Sequence, residues 1–153
     1  MDLLQAVELA DRLHAGETDK AGRPYILHLI RTMLRVQAAG GDLDQQIAAL
    51  LHDSIEHRRA TEASLLAAGV PAQAVQDTVD MTRPQGMPYA LYIAAIAKKK
   101  RVALIKRQDL ADNSDEARIA LLPLEQAASL RKRYQRAIAT LDAAIRNEGG
   151  YQA

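Results

Sequence analysis

The stretch Ala48-Ala49-Leu50-Leu51-His52-Asp53-Ser54-Ile55-Glu56-His57 joins an apolar helical run to an adjacent His-Asp pair, with a carboxylate one turn further on. Burying a charge without a partner is expensive, so a pair in this setting needs something to bind. A divalent metal answers that need, because His supplies a neutral nitrogen and Asp an anionic oxygen. On a helix, the two side chains leave about 100° apart and approach one ion from neighbouring directions. Glu56 follows His52 by four residues and Asp53 by three, which puts it over the same face. The ordinary alternative is a solvated helix face, and the apolar run ahead of the pair argues against it.

Apolar positions recur at helical spacing on both sides of this stretch. A first helix is expected over about residues 2 to 14, with Leu3, Leu4, Val7 and Leu13 on its apolar side. The polar loop Ala15-Gly16-Glu17-Thr18-Asp19-Lys20-Ala21-Gly22-Arg23 follows, and Pro24 opens a second helix at a favoured first-turn position. Gly40-Gly41 ends it. Asp42 caps the third helix, with Gln45 three residues on as a capping box. Shorter helices fit 62 to 68 and 71 to 81, a loop fits Thr82 to Pro88, and helices fit about 89 to 98, 101 to 113 and 123 to 146. The tail around Gly149-Gly150 reads as frayed. No alternating strand pattern occurs, so the expected fold is all-α: a compact single domain over residues 1 to 153.

Composition fits that reading. The 153 residues are enough to bury a core, and 48% hydrophobic with 25% charged is ordinary for a globular chain. Phe and Trp are absent, so the core must be Leu, Ile, Val and Ala with a few Met and Tyr. Cys is absent as well, which excludes disulfides and thiolate metal sites and leaves His and carboxylates as ligands. A net charge of +1 gives no global field toward nucleic acid or an anionic membrane. No apolar run is long enough to span a bilayer, and Met1-Asp2-Leu3-Leu4-Gln5 lacks the basic start of a signal peptide, so the cytoplasm is the expected location.

Other residues extend the candidate site. His28 stands among apolar neighbours early in the second helix, where the plain reading is a core histidine with one hydrogen bond. Asp109 lies one turn after Ile105 on an inward face, with Asn113 one turn later; its plain reading is an Asp satisfied near a helix end. Together His28, His52, Asp53 and Asp109 make a two-His, two-carboxylate set from three helices. Such a set leaves positions open on Mn²⁺, Fe²⁺ or Zn²⁺ for water or a phosphate oxygen. His14 ends the first helix, where a cation suits the dipole, and is expected to be a structural residue or one that supports the ligands from behind. Lys98-Lys99-Lys100-Arg101 reads as a solvated turn, without the interleaved aromatics of a single-strand binder.

The blocks His14-Ala15-Gly16, Lys20 to His28, Ala48 to Glu56, and Ile105-Lys106-Arg107-Gln108-Asp109 with Asn113 resemble the HD-domain hydrolases of the RelA/SpoT type, above all the short stand-alone alarmone hydrolases. Thr82-Arg83, Tyr89, Tyr92-Ile93 and Arg131-Lys132-Arg133-Tyr134 also resemble the short forms, so the likeness runs from about residue 4 to 142. The resemblance implies metal ligation by His28, His52, Asp53 and Asp109, with Mn²⁺ the usual ion. It implies removal of the 3′-diphosphate of guanosine tetra- or pentaphosphate, giving pyrophosphate and GDP or GTP.

Three positions depart from the family pattern. His57 stands in place of an Asp after Glu56, Asp19 in place of an Arg before Lys20, and Leu29 in place of a Pro after His28. The expected function is a metal-dependent phosphohydrolase of a small nucleotide, with no nucleic-acid or membrane partner. Glu56 is the expected general base, with His57 sharing or orienting that task. Lys20 and Asn113 are expected to position the substrate. Asp19 makes a different nucleotide or phosphate ester an alternative substrate. The rival reading is a non-catalytic sensor that binds a nucleotide or metal. The oligomeric state is not readable from the sequence.

Overall fold

The computed structural model describes residues 1 to 148, so the tail expected to fray lies largely outside the described residues. Nine helices and no strand occur among them. They fall into two compact units, Met1–Arg83 and the residues from Pro84 onward. None of these helices is long and apolar enough to cross a membrane.

The first unit holds α1 (Leu3–Leu13), α2 (Ile26–Ala38), α3 (Leu43–Leu51), α4 (Glu62–Ala67) and α5 (Ala72–Met81). The Asp42–Gln45 capping box forms as expected, and Asp2 with Gln5 builds the same device on α1. Helix α3 packs against α1, α2 and α5. Its residues Ile47, Ala48, Ala49, Leu50 and Leu51 are wholly buried, as a helix apolar on all sides requires. Helix α2 stops at a glycine turn. The Gly40 N–H donates to the Gln37 carbonyl and the Gly41 N–H to the Val36 carbonyl, with Gly40 at φ 84°. Gly41 also has no room for a side chain, since a Cβ there would meet Val36 at 2.4 Å.

Two boundaries differ from expectation. Helix α2 begins at Ile26, behind Tyr25 as its N-cap, because tight turns (the Leu27 N–H to Pro24 and the His28 N–H to Tyr25) precede regular α-bonding. Helix α3 ends at Leu51, and residues 52 to 58 run as successive turns rather than as continued helix.

The second unit holds α6 (Tyr89–Ala97), α7 (Lys100–Asn113), α8 (Glu116–Ile119) and α9 (Leu124–Glu148). Helix α9 packs on both α6 and α7, and Arg107 donates to Asp142 at 2.7 Å between α7 and α9. The core is the aliphatic set expected from composition, including Ile93, Ile96, Val102, Ile105, Leu110 and Leu141, with Tyr92 among them. Helix α8 was not expected. Four residues are too few for a periodic signal, and what starts it is the Asp115 carboxylate accepting from the Ala117 N–H at 2.9 Å.

Candidate metal centre

The packing of α2 on α3 sets the site. His28 lies in the first turn of α2 and His52 is the C-cap of α3; both are buried, with ring centroids 5.6 Å apart. The His52 Nδ1–H donates to the Ala49 carbonyl at 2.7 Å, because a carbonyl oxygen only accepts. That bond fixes the tautomer and leaves Nε2 as the donor atom for an ion. Nε2 of His52 lies 3.1 Å from Asp53 Oδ2, and His28 Nε2 lies 3.9 Å from the same oxygen. Two ligands on one ion at ~2.1 Å stand roughly 3.0–3.5 Å apart, so this donor set fits a divalent cation with a small closing shift. With the His52 nitrogen and the Asp53 oxygen 3.1 Å apart, a cation between them would interact favourably with both.

Tyr25, at the head of α2, donates its hydroxyl to Asp53 Oδ2. Its ring stacks on His14 at 5.3 Å and leans on His57 at 5.3 Å. Beside it stands a second group. His14 Nδ1 meets Glu17 Oε2 at 2.8 Å, and His57 Nδ1 meets Glu17 Oε1 at 2.5 Å. Burial lowers the His14 pKa below its ordinary value against the pull of Glu17. Burial pushes the Glu17 carboxyl up, but the hydrogen bond from His14 and the charge of His57 outweigh it, and the group lies below its ordinary range.

Glu56 is exposed on the turn that follows α3, whereas His57 is half-buried and held by Glu17. Lys20 is exposed in a loop closed by the pairing of Thr18 with Pro24. Asp19 organises that loop, its Oδ1 accepting from the Ala21 and Arg23 N–H groups at 2.9 Å each.

In the second unit, Asp109 on α7 is buried. Its carboxylate accepts from Lys106 Nζ at 2.6 Å and from Asn113 Nδ2 at 3.0 Å. Burial would lower the Lys106 pKa, but Asp109 and then Tyr92 and Tyr89 raise it well above the ordinary lysine value. Burial likewise raises the Tyr134 pKa, and Asp109 adds to it. Three partners were not singled out from sequence for these contacts: Tyr25, Glu17 and Lys106. Each lies three residues from a candidate, at His28, His14 and Asp109 respectively; Lys106 and Asp109 share α7, where that spacing brings side chains together on one turn.

The HD-domain family matches residues 6–132. A guanosine-3′,5′-bis(diphosphate) 3′-pyrophosphohydrolase of Aquifex aeolicus is 30% identical over 119 residues, which is 73% of this chain and 17% of that protein. A probable GTP pyrophosphokinase of Mycobacterium leprae is 30% identical over 138 residues, 84% of this chain and again 17% of its own length. The chain thus spans about a sixth of these relatives. A solved structure described as a metazoan ortholog of SpoT that hydrolyzes ppGpp superposes with a TM-score of 0.73 at 20% identity, covering 95% of this chain and 94% of that one; it supports the all-α fold. The RelA/SpoT-type resemblance read from the sequence is borne out by these matches. With a match across most of its length and the His-Asp pair set against a second buried histidine, the chain belongs to the HD-domain family.

Proposed function

We propose that the chain is a divalent-metal-dependent phosphohydrolase that removes the 3′-diphosphate of guanosine tetra- or pentaphosphate, releasing pyrophosphate and GDP or GTP. The observation that carries this is the His28, His52 and Asp53 group, with the His52 tautomer set by Ala49. The names of the relatives supply the substrate class. Residues 1 to 153 act as one HD-type domain in this reading, which the family match over 6–132 supports.

His28, His52, Asp53 and Asp109 would hold the ion, Mn²⁺ first and Fe²⁺ or Zn²⁺ as alternatives. Bound there, the ion supplies Lewis acidity toward a phosphoryl oxygen and makes water more acidic. Glu56 takes a proton from the attacking water as its oxygen bonds to the phosphorus attached to the ribose 3′-oxygen. That P–O bond breaks, and the 3′-oxygen leaves and gains a proton. His57, steadied by Glu17, shares the proton task or orients Glu56. Lys20 binds a substrate phosphate from its exposed loop, and Asn113 holds Asp109 and reaches substrate. A small intracellular nucleotide goes with a cytoplasmic location. Incubating the full chain with Mn²⁺ and guanosine tetraphosphate should give pyrophosphate and GDP in equal amounts by chromatography. Inactivity on every 3′-phosphorylated nucleotide tested would point instead to a sensor that binds without turnover.

A further inference from the structure

We propose that His14, Glu17 and His57 form a second divalent-cation site, suited to Zn²⁺ and separate from the His28–His52–Asp53 group. One ligand atom from each of the three residues lies within 4.8 Å of the other two. Two imidazole nitrogens and one carboxylate, with a fourth position for water, are a zinc donor set. The three residues come from separate segments: the end of α1, the loop after it, and the turn beyond α3.

Hydrogen bonds alone account for the two His–Glu17 contacts, so the case for an ion rests on what its entry would disturb. Neutral imidazoles can ligate through Nδ1 once the ring proton moves to Nε2. His14 Nε2 is buried with no hydrogen-bond partner among the described residues, so taking up that proton breaks no existing bond there. Glu17 contributes the negative charge that a cation needs. An entry path exists, because the His14 side chain is sealed while that of His57 is 30% exposed. Arg59 Nε lies 3.5 Å from Glu17 Oε2 on a 44% exposed side chain, so it can swing away as an ion enters. The Tyr25 ring, against both His14 and His57, forms one wall, and its hydroxyl is turned to Asp53. Occupancy would tie the end of α1 and the loop that carries Lys20 to the turn that carries His57.

The test is stoichiometry with Zn²⁺ alone as the probe, read by native mass spectrometry on the metal-free full chain. Wild type is expected to take two equivalents. Glu17→Gln, nearly isosteric, should take one, as should His14→Ala. His52→Ala should also take one, and in that background Co²⁺ should give the visible absorption of a four-coordinate ion, lost when Glu17→Gln is added. A single equivalent in wild type that Glu17→Gln retains would overturn the second site, as would a Co²⁺ band in His52→Ala that survives Glu17→Gln. Thermal melts of each variant establish that it is folded. Failure of the His28–His52–Asp53 reading looks different: His52→Ala would then bind as wild type while Glu17→Gln still lost one equivalent.

Discussion

Replacing Tyr25 by Phe removes one hydroxyl and leaves the ring that packs on His14, His28 and His57. The hydroxyl donates to Asp53 Oδ2, on a side chain only 14% exposed. A hydrogen bond to a charged acceptor is worth about 1.5–3 kcal/mol. For a chain of this size, each kcal/mol moves the melting temperature by roughly 2–4 °C, so Tyr25→Phe should melt about 3–12 °C lower. The same hydroxyl holds Oδ2 where His52 Nε2 stands 3.1 Å away. Removing outer partners of metal-binding groups costs about 10–100-fold in affinity. At about 1.4 kcal/mol per tenfold, that range matches the energy of the lost bond. Competition with a chromophoric chelator for Mn²⁺ measures the affinity, and scanning calorimetry the melt. A Tyr25→Phe protein that binds Mn²⁺ within twofold of wild type would refute the orienting role of Tyr25. A lowered melt with unchanged affinity would leave the hydroxyl a purely structural part.

Glu56→Gln should keep its metal while turnover falls by about a hundredfold or more, measured by pyrophosphate release; wild-type turnover would remove Glu56 from the mechanism. Leu50→Ala, at a wholly buried position of α3, should lose about 2–5 kcal/mol by urea denaturation, and a loss under 1 kcal/mol would mean that α3 repacks freely. Stability should also fall on acidification. His14 has a pKa below 6.5 when folded, so the unfolded chain takes up its proton first and stability drops as pH falls from 6.5 toward the folded value. Glu17, below 4.5 when folded, adds stability above 4.5 that is lost as pH falls through its folded value. Urea midpoints across pH 7 to 3 check both, and a flat profile would contradict them.

Much of the fold was legible because helices are written in local periodicity and caps. The Asp42–Gln45 box, the Gly40-Gly41 stop and the aliphatic palette each act within a few residues, so the sequence carries them directly. The four-residue α8 escaped because it is shorter than any period that could reveal it. The stretch that reads as one helix from Ala48 to His57 stops at Leu51, and its His52 side chain takes the Ala49 carbonyl that the next helical turn would otherwise use. As a result, Glu56 stands exposed while His57 turns to Glu17.

By itself, the sequence determined the helical class, the cysteine-free choice of ligands and the His-Asp pair with its candidate partners, since these follow from residue type and short-range spacing. Only the tertiary structure decided which candidates meet. Tyr25 reaches Asp53 across 28 residues of chain, and Glu17 reaches His57 across 40. Such contacts depend on how α2 and α1 dock on α3, and docking is settled by the burial of whole helix faces. No local pattern records that outcome.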